Sequence, residues 1–224
     1  MATDEQLWRQ WFESVWKQRE EVVYPALFGP LTGNIHTLSA RWFEEMGFKD
    51  VDPRWLTHGV LESAPNNKRE NWLYVTSGLS NPWGVDPAEI KPNEYSGLGF
   101  EFFIQTARPA RWAVDVLSSL MAVQILVAQE LVAGELIEPF DRVPLGRGMD
   151  GSAQCAVKNL LILPPEHIPA RGHLDSGVFD LFLGVGITDA ELLFARAQDG
   201  TGLQKLLLHH GCLPLTDASR NSVV

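Results

Sequence analysis

The sequence predicts an α+β fold: a mixed, largely antiparallel sheet packed against one long apolar helix, with an amphipathic helix before it and short helices after it. Three observations support this prediction. The chain of 224 residues is long enough to bury a sizeable core without disulfide or metal support. Helical and strand periodicities both occur, and the regular alternation of strand and helix that marks a parallel sheet is missing. We therefore expect a single domain over residues 1–224.

The first element is an amphipathic helix whose start is marked by a capping box of Thr3 and Gln6. Large apolar residues then recur at helical spacing, and we expect their common stripe to lie on the core. The stripe consists of Leu7, Trp8, Trp11, Phe12, Val15 and Trp16. Tyr24-Pro25 and Gly29-Pro30 predict the end of this element.

Short runs rich in β-branched and aromatic residues predict strands further along the chain. They cover residues 59–61, 72–76, 99–104, 157–163 and 178–187. The polar segment 63–68 is typical of a turn and indicates that the first two strands are antiparallel. Residues 81–97 contain three prolines and no periodicity, so we expect a long surface loop, where binding sites tend to occur.

Residues 111–133 form the most apolar predicted helix, with apolar side chains around most of its circumference, and we expect it to lie against the sheet. Two short helices follow the last strand, and capping boxes at Thr188–Glu191 and Thr201–Gln204 predict their starts. We expect one set of large side chains from helix and strands to be buried within mutual reach. The set is Trp112, Leu117, Leu120, Phe100, Phe102, Leu181 and Leu183.

Charge and cysteine content exclude several classes of function. With 18 Lys and Arg against 28 Asp and Glu, the net charge is −10, which argues against a basic nucleic-acid-binding face. Two distant cysteines without a CxxC motif form neither a disulfide framework nor a zinc ribbon. The acidic start of the chain lacks a signal-peptide pattern, and no segment has the roughly 20 apolar residues needed to span a membrane. We expect a soluble cytoplasmic protein without a membrane or nucleic-acid partner.

Residues capable of catalysis do not form a recognisable motif along the sequence. The GxGxxG motif at 146–151 lacks a preceding strand of normal length and a following helix, so we interpret it as a loop. The histidines show no HxH or HExxH spacing, and we expect no metal and no cofactor. Glu101, among phenylalanines, belongs either to a solvated or hydrogen-bonded structural face or to a binding surface.

An enzyme remains the alternative to a binding protein. It would be hydrolase-like, with a site that His, Asp and Glu side chains form only in three dimensions. A deep pocket in which two of four candidates come within hydrogen-bond reach would favour it. The candidates are His58, His173, Glu101 and Asp115.

Five segments follow one another in a fixed order and spacing: residues 72–80, residues 97–102, the helix containing Trp112, residues 177–192 and residues 215–217. This pattern extends from about Tyr24 to Val223 and resembles the suppressor of fused family. The resemblance implies an α+β scaffold that acts by binding other proteins.

Animal members of that family restrain transcription factors of Hedgehog signalling, and a second, C-terminal domain helps to clamp the partner peptide. The present chain ends soon after the pattern of the first domain, so we do not expect this clamp or the animal function. The resemblance is to short, bacterial-type members, some of which are regarded as immunity proteins against secreted toxins. The acidic charge would suit a basic partner such as a nuclease toxin or a basic regulator.

We expect the partner to bind the loop 81–95 and the adjoining strand edge. The family's aromatic position matches Trp83, and its acidic position falls at Asn93 or Glu94. The loop also carries apolar groups within an acidic rim, which is the usual composition of a binding hot spot. The predicted site residues are Trp83, Asp86, Ile90, Asn93, Glu94 and Tyr95. An alternative for Trp83 is that it folds back and plugs the end of the core.

Overall fold

The computed structural model describes residues 3–91, 93–198 and 200–224. Within these residues, an eight-stranded sheet forms the centre of the molecule. Its strands are β1 Ile35–Thr37, β2 Gly59–Ser63, β3 Trp72–Ser77, β4 Tyr95–Thr106, β5 Arg142–Pro144, β6 Val157–Leu163, β7 Arg171–Leu174 and β8 Gly177–Thr188. The spatial order is β1-β2-β3-β4-β8-β6-β5, and β7 also pairs with β8. The β4–β8 pair is parallel and the remaining pairs are antiparallel, so the predicted mixed, largely antiparallel sheet is confirmed.

Helices pack on both faces of this sheet. They are α1 Asp4–Lys17, a π-helical segment Gln18–Val23, α2 Tyr24–Phe28, α3 Arg41–Glu44, α4 Arg111–Ala128, α5 Asp189–Gln198 and α6 Gly200–His209. Short 3₁₀ turns occur at Pro53–Thr57 and Pro87–Glu89. The capping box of α1 is confirmed, since the Thr3 and Gln6 side chains each accept a hydrogen bond from the other's backbone amide. The N-terminal helical run ends at Gly29, whose φ of +80° suits glycine.

The predicted mutual contact of core residues is wrong for two of its members. Phe100, Phe102, Leu117 and Leu120 belong to the core beneath α4, with Trp112 half-buried against it. Leu181 and Leu183 lie on the opposite face of the sheet, in a core covered by the N-terminal helices, α5 and α6. Side chains alternate along a strand, and here both faces are covered, so consecutive residues of β8 enter different cores.

Two predicted helix boundaries are also corrected. The helix α4 ends at Ala128 rather than at residue 133, because Glu130 has a φ of +57° and leaves the helical conformation. By length and composition α4 could cross a membrane, but 61% of it is buried inside the fold, as is typical of a core helix. The helix α6 already begins at Gly200, so Thr201 lies inside it and is not its cap.

The apolar stripe of α1 is only partly in the core. Phe12 and Val15 are buried, whereas 54% of Leu7 and 39% of Trp16 is exposed. The stripe is wider than the surface that the sheet and its loops offer to the helix. Part of an apolar helix face is therefore left in solvent.

Candidate protein-binding site

Trp83, in the loop that follows β3, lies between α1 and the turn Pro53–Thr57 that precedes β2. Its ring centroid is 4.2 Å from that of Phe12 and 5.9 Å from that of Trp8, and the guanidinium of Arg54 lies 5.9 Å from the ring. The side chain is half-buried. These contacts tie the loop to α1, and the exposed part of the ring is open to a partner, so both interpretations of Trp83 keep a structural basis.

Asp86 and Ile90 flank a short turn in the same loop. The exposed Asp86 carboxylate accepts a hydrogen bond of 2.9 Å from the amide of Ala88 and so starts the turn Pro87–Glu89. Ile90 ends this turn and is half-buried. Asp86 thus has both a local structural function and a solvent-exposed charge.

Asn93 and Glu94 lie directly before β4, which begins at Tyr95, and all three residues are exposed. Asn93 has a φ of +69°, a conformation that asparagine tolerates better than most residues. The carbonyl of Glu94 accepts a hydrogen bond of 2.8 Å from the amide of Val178, and a Cβ at Gly177 would lie 2.3 Å from that carbonyl oxygen. Close contact with β8 therefore holds this backbone in place.

The Tyr95 ring is exposed but firmly positioned. Its hydroxyl donates to Asp180 at 2.7 Å and accepts from Arg171 at 3.0 Å, and Arg171 also forms an ion pair of 2.6 Å with Asp180. Although burial acts to raise it, hydrogen bonds from Arg171 and Tyr95 lower the pKa of Asp180. The ring packs over Gly99, where a Cβ would lie 2.8 Å from it, and 55% of Tyr95 remains exposed.

Five of the six predicted site residues thus fall into two groups that contact different elements, and Ile90 lies between the groups along the chain. Trp83 and Asp86 belong to the part of the loop next to α1, and residues 93–95 belong to the strand edge next to β7 and β8. Arg171 and Asp180, which fix Tyr95, were not predicted. They lie far from it along the chain, so no local pattern indicates them.

Behind the loop, Glu101 is fully buried in β4 and hydrogen-bonded on both oxygens. Oε1 accepts from the amides of Gly78 and Ser80 at 3.0 and 2.9 Å, and from the Ser80 hydroxyl at 2.7 Å. Oε2 accepts from the Thr76 hydroxyl at 2.5 Å. Of the two interpretations of Glu101, the geometry matches the hydrogen-bonded structural one. Glu101 fixes the turn from which the loop departs.

Arg19 completes this buried network from the N-terminal segment. It is fully buried in the π-helical stretch, where it donates to Ser77, Ser80 and Asn81 at 2.7–3.0 Å. Its guanidinium lies 3.9 Å from the Glu101 carboxylate. Arg19 follows Val15 at helical spacing, so a charged residue on the apolar stripe was the signal that could have indicated it. The network anchors the N-terminal helices to the start of the loop.

The four candidates for an enzyme site do not form one cluster, although the buried His58 and Glu101 lie close enough to interact electrostatically. His58 and Glu101 are buried, His173 is exposed on β7, and Asp115 forms an ion pair with Arg111 on α4. Among the described residues, no hydrogen bond joins any two of the four. Burial, opposed by Glu101 and assisted by Arg19, lowers the pKa of His58 to about 4.

A different histidine and carboxylate do form a pair. His36 Nε2 lies 2.5 Å from Glu62, and His36 Nδ1 lies 2.9 Å from the Arg111 guanidinium. Because arginine can only donate, Nδ1 accepts, and Nε2 carries the proton given to Glu62. Both ring nitrogens are therefore engaged, and neither is free to take a proton from a substrate.

Among the described residues, open grooves of similar volume occur at two places that bear on the site. One, of about 740 Å³, runs between α1 and the loop segment 84–88. The other, of about 770 Å³, runs between residues 106–112 and 211–220 and is lined by charges of both signs. None of the four enzyme candidates lines either groove.

These features define an α+β scaffold whose irregular, acidic loop is held rigidly on a mixed sheet. A sequence profile of the suppressor of fused protein (SUFU) family matches residues 55–221. The chain belongs to the suppressor of fused family, as the resemblance of its strand segments indicated. No curated protein matches the chain in a sequence search.

Solved structures show the same fold. A chain of the Sufu–Fu complex is 19% identical, with a TM-score of 0.64 over 95% of this chain and 92% of that one. A suppressor of fused homologue from Neisseria gonorrhoeae is 19% identical, with a TM-score of 0.57 over 96% of this chain and 98% of that one. Drosophila Suppressor of Fused is 19% identical, with a TM-score of 0.58 over 74% of this chain and 42% of that one.

Proposed function

We propose that this chain is a non-catalytic, cytoplasmic protein-binding module of regulatory or toxin-neutralising (immunity) type. It binds its partner through the loop 81–95 and the adjoining strand edge. The observation that carries the proposal is the exposed Tyr95, held by Asp180 and Arg171 beside the acidic Glu94. A large side chain fixed before binding loses little conformational entropy on contact, which is the property of a hot-spot residue.

Family membership supports the binding role in general, and a similar structure was solved as a Sufu–Fu complex. The net charge of −10 supports a basic partner, because complementary charge accelerates association. The enzyme alternative is not favoured, since the buried carboxylate and the His36–Glu62 pair are both engaged within the fold.

Affinity capture from a lysate of the organism that encodes this chain tests the proposal. The tagged wild type is compared with Tyr95→Ala and Glu94→Lys, and Leu193→Ala serves as the control because Leu193 is an exposed leucine on α5. We expect one partner to be retained by the wild type and the control. Its affinity should fall by about 2 kcal/mol or more for Tyr95→Ala. Equal retention by all four proteins would contradict the predicted surface.

Trp83→Ala distinguishes the two interpretations of that residue. An anchor contributes to binding, so its removal weakens the captured complex with little change in melting temperature. A plug contributes to packing against Phe12, so its removal lowers the melting temperature and leaves the affinity of the folded protein unchanged.

Growth rescue separates the two biological roles. A partner that is toxic when expressed alone and harmless when co-expressed with the wild type indicates an immunity function. A non-toxic partner whose activity changes on binding indicates regulation. In both cases Tyr95→Ala should abolish the effect.

A further inference from the structure

The groove between α1 and the loop segment 84–88 has a largely apolar lining. Its volume is about 740 Å³, and its lining residues are Asp4, Leu7, Trp8, Trp11, Gly84, Val85, Asp86, Pro87 and Ala88. Leu7 is 54% exposed, so a large apolar side chain that a core helix would normally bury faces solvent here. Exposed apolar surface of this kind, rimmed by polar groups, marks interaction sites.

The charges on the rim have one sign. Asp4 and Asp86 line the groove, and neither forms an ion pair with a Lys or Arg side chain among the described residues. Glu5, in the same helical turn as Asp4, is acidic as well and pairs only with the exposed Arg9. Among the described residues, no lysine or arginine side chain lines the groove. The surface is therefore complementary to an apolar segment with basic flanks.

The walls of the groove favour a helical occupant over an extended one. One wall is α1, whose backbone groups bond within the helix, and the other is a loop with a short 3₁₀ turn at Pro87–Glu89. Neither wall is a β-strand edge, so a bound peptide cannot add a strand here. Recognition therefore relies mainly on side chains, and an amphipathic helix offers several on one face.

Both walls are fixed before any partner arrives. The Trp8 indole donates a hydrogen bond of 2.9 Å to the carbonyl of Val85, which ties the helix to the loop across the floor of the groove. Trp83 packs on Phe12 directly behind it, and the buried Arg19 network holds the following helical segment to the sheet. A groove held open in this way needs little rearrangement to bind.

We infer that this groove docks an amphipathic helix of a partner protein, one that presents large apolar side chains at i, i+4 and i+7 and Lys or Arg on its flanks. The inference rests on the proposed protein-binding function, extends the loop surface that contains Asp86 onto α1, and defines the chemistry of the partner. The apolar residues of the partner fill the space beside Leu7 and Trp11, and its basic residues face Asp4 and Asp86.

A set of synthetic helical peptides of about 14 residues, or four turns, tests this. The first carries leucines at i, i+4 and i+7 with lysine flanks. The second has the same composition with the leucines spread around the helix, and the third replaces lysine by glutamate. Binding to the full chain is measured by fluorescence anisotropy of the labelled peptide at low and high salt. We expect the first peptide to bind at least tenfold more tightly than the other two, and more weakly at high salt.

Variants locate the binding to the groove. Leu7→Glu should weaken binding of the first peptide at least tenfold, whereas Leu193→Glu, at a leucine that is 63% exposed on α5, should leave it unchanged. The double variant Asp4→Asn with Asp86→Asn should weaken the lysine-flanked peptide several-fold, and asparagine at position 86 still caps the turn. Circular dichroism checks that each variant is folded, and Trp11→Ala replaces Leu7→Glu if the latter is not.

Equal binding of all three peptides, or equal loss with Leu7→Glu and Leu193→Glu, would overturn the inference. So would self-association of the wild type that Leu7→Glu abolishes, because the groove would then hold a second copy of the chain. The capture experiment on Tyr95 separates this inference from the proposed function. If Tyr95→Ala loses the natural partner and Leu7→Glu retains it, the groove is wrong and the binding function stands.

Discussion

Glu101 and Glu191 are both fully buried, but the fold compensates them in different ways. Glu191, at the start of α5, pairs through both oxygens with Arg220 at 2.6 Å and accepts from the amides of Thr188 and Val223. Glu101, in β4, accepts from amides and hydroxyls, and its nearest cation, Arg19, is 3.9 Å away. One carboxylate is held mainly by an ion pair, the other mainly by neutral donors.

The two glutamates also hold different segments of the chain against the sheet. Glu191 holds the C-terminal tail, and Arg220 also donates to the carbonyl of Gly186 in β8. Glu101 holds the turn after β3 and, through the shared partner Ser80, the N-terminal segment that contains Arg19. The Glu101 network therefore supports both walls of the candidate binding surface, and the Glu191 network supports neither.

Glu101→Ala should have the largest effect, a loss of about 3–5 kcal/mol in the free energy of unfolding. The substitution leaves Arg19 without its buried carboxylate and removes the acceptor for four hydrogen bonds. Urea titration measures the loss. Glu101→Gln keeps the shape of the side chain and part of its hydrogen-bond acceptor capacity, so its loss in the free energy of unfolding should be smaller than that of Glu101→Ala. A loss below about 1 kcal/mol for alanine would show that the network is unimportant to stability.

Arg220→Ala should cost about 2–3 kcal/mol, because Glu191 keeps its two backbone donors when the ion pair is lost. Arg9→Ala is the matched control: its ion pair with Glu5 is exposed, and the loss should stay below about 0.5 kcal/mol. Chemical denaturation of both variants provides the comparison. Equal losses would mean that burial of the Glu191 pair does not strengthen it.

As pH falls, the free energy of unfolding should first decrease through His58, which interacts with Glu101. Burial lowers the pKa of His58 to about 4 in the folded chain, against an ordinary value of 6.5 in the unfolded chain. The unfolded state therefore takes up a proton as pH falls below about 6.5 while the folded state does not, and stability decreases. Between pH 7 and pH 5 the decrease should be about 2 kcal/mol.

The variant His58→Gln isolates this titration. Its stability should be nearly constant between pH 7 and pH 5, since the lowered pKa values of Glu62, Asp180 and Glu191 cause losses only at lower pH. Equilibrium unfolding at several pH values measures both proteins. A wild-type curve parallel to that of the variant would exclude His58 as the source.

Apart from the control Arg9→Ala, Thr188→Ala should have the smallest effect, a loss of about 1 kcal/mol. The Thr188 hydroxyl accepts from the amide of Glu191 and so caps α5, while the buried carboxylate keeps its other partners. Thermal unfolding should show a small decrease in melting temperature. A loss as large as that of Arg220→Ala would mean that the cap, and not the ion pair, holds this end of the sheet.

Local patterns were sufficient wherever neighbours in sequence are also partners in space. The box of Thr188 and Glu191 closes over three residues, and it was identified from their spacing alone. Alternation within β8 places Phe179, Leu181 and Leu183 on one face, and all three lie in the same core. Proline content and missing periodicity correctly indicated an irregular segment for the described residues from 81 to 94, but the predicted loop 81–97 is wrong at its end, because β4 already begins at Tyr95.

Only the tertiary structure decided the features that depend on residues distant along the chain, namely which core a side chain enters and which partners a buried charge or a ring contacts. Alternation could not show which helices cover which face of the sheet, so Leu181 and Leu183 were assigned to the wrong core. Glu101 meets its donors 21–25 residues away, Arg19 meets its own 58–62 residues away, and Tyr95 meets Arg171 and Asp180 76 and 85 residues away. Whether a buried charge is paired, or an aromatic ring is fixed, depends on these contacts. These contacts form only when the sheet brings distant parts of the chain together. No short-range spacing pattern in the sequence therefore predicts them.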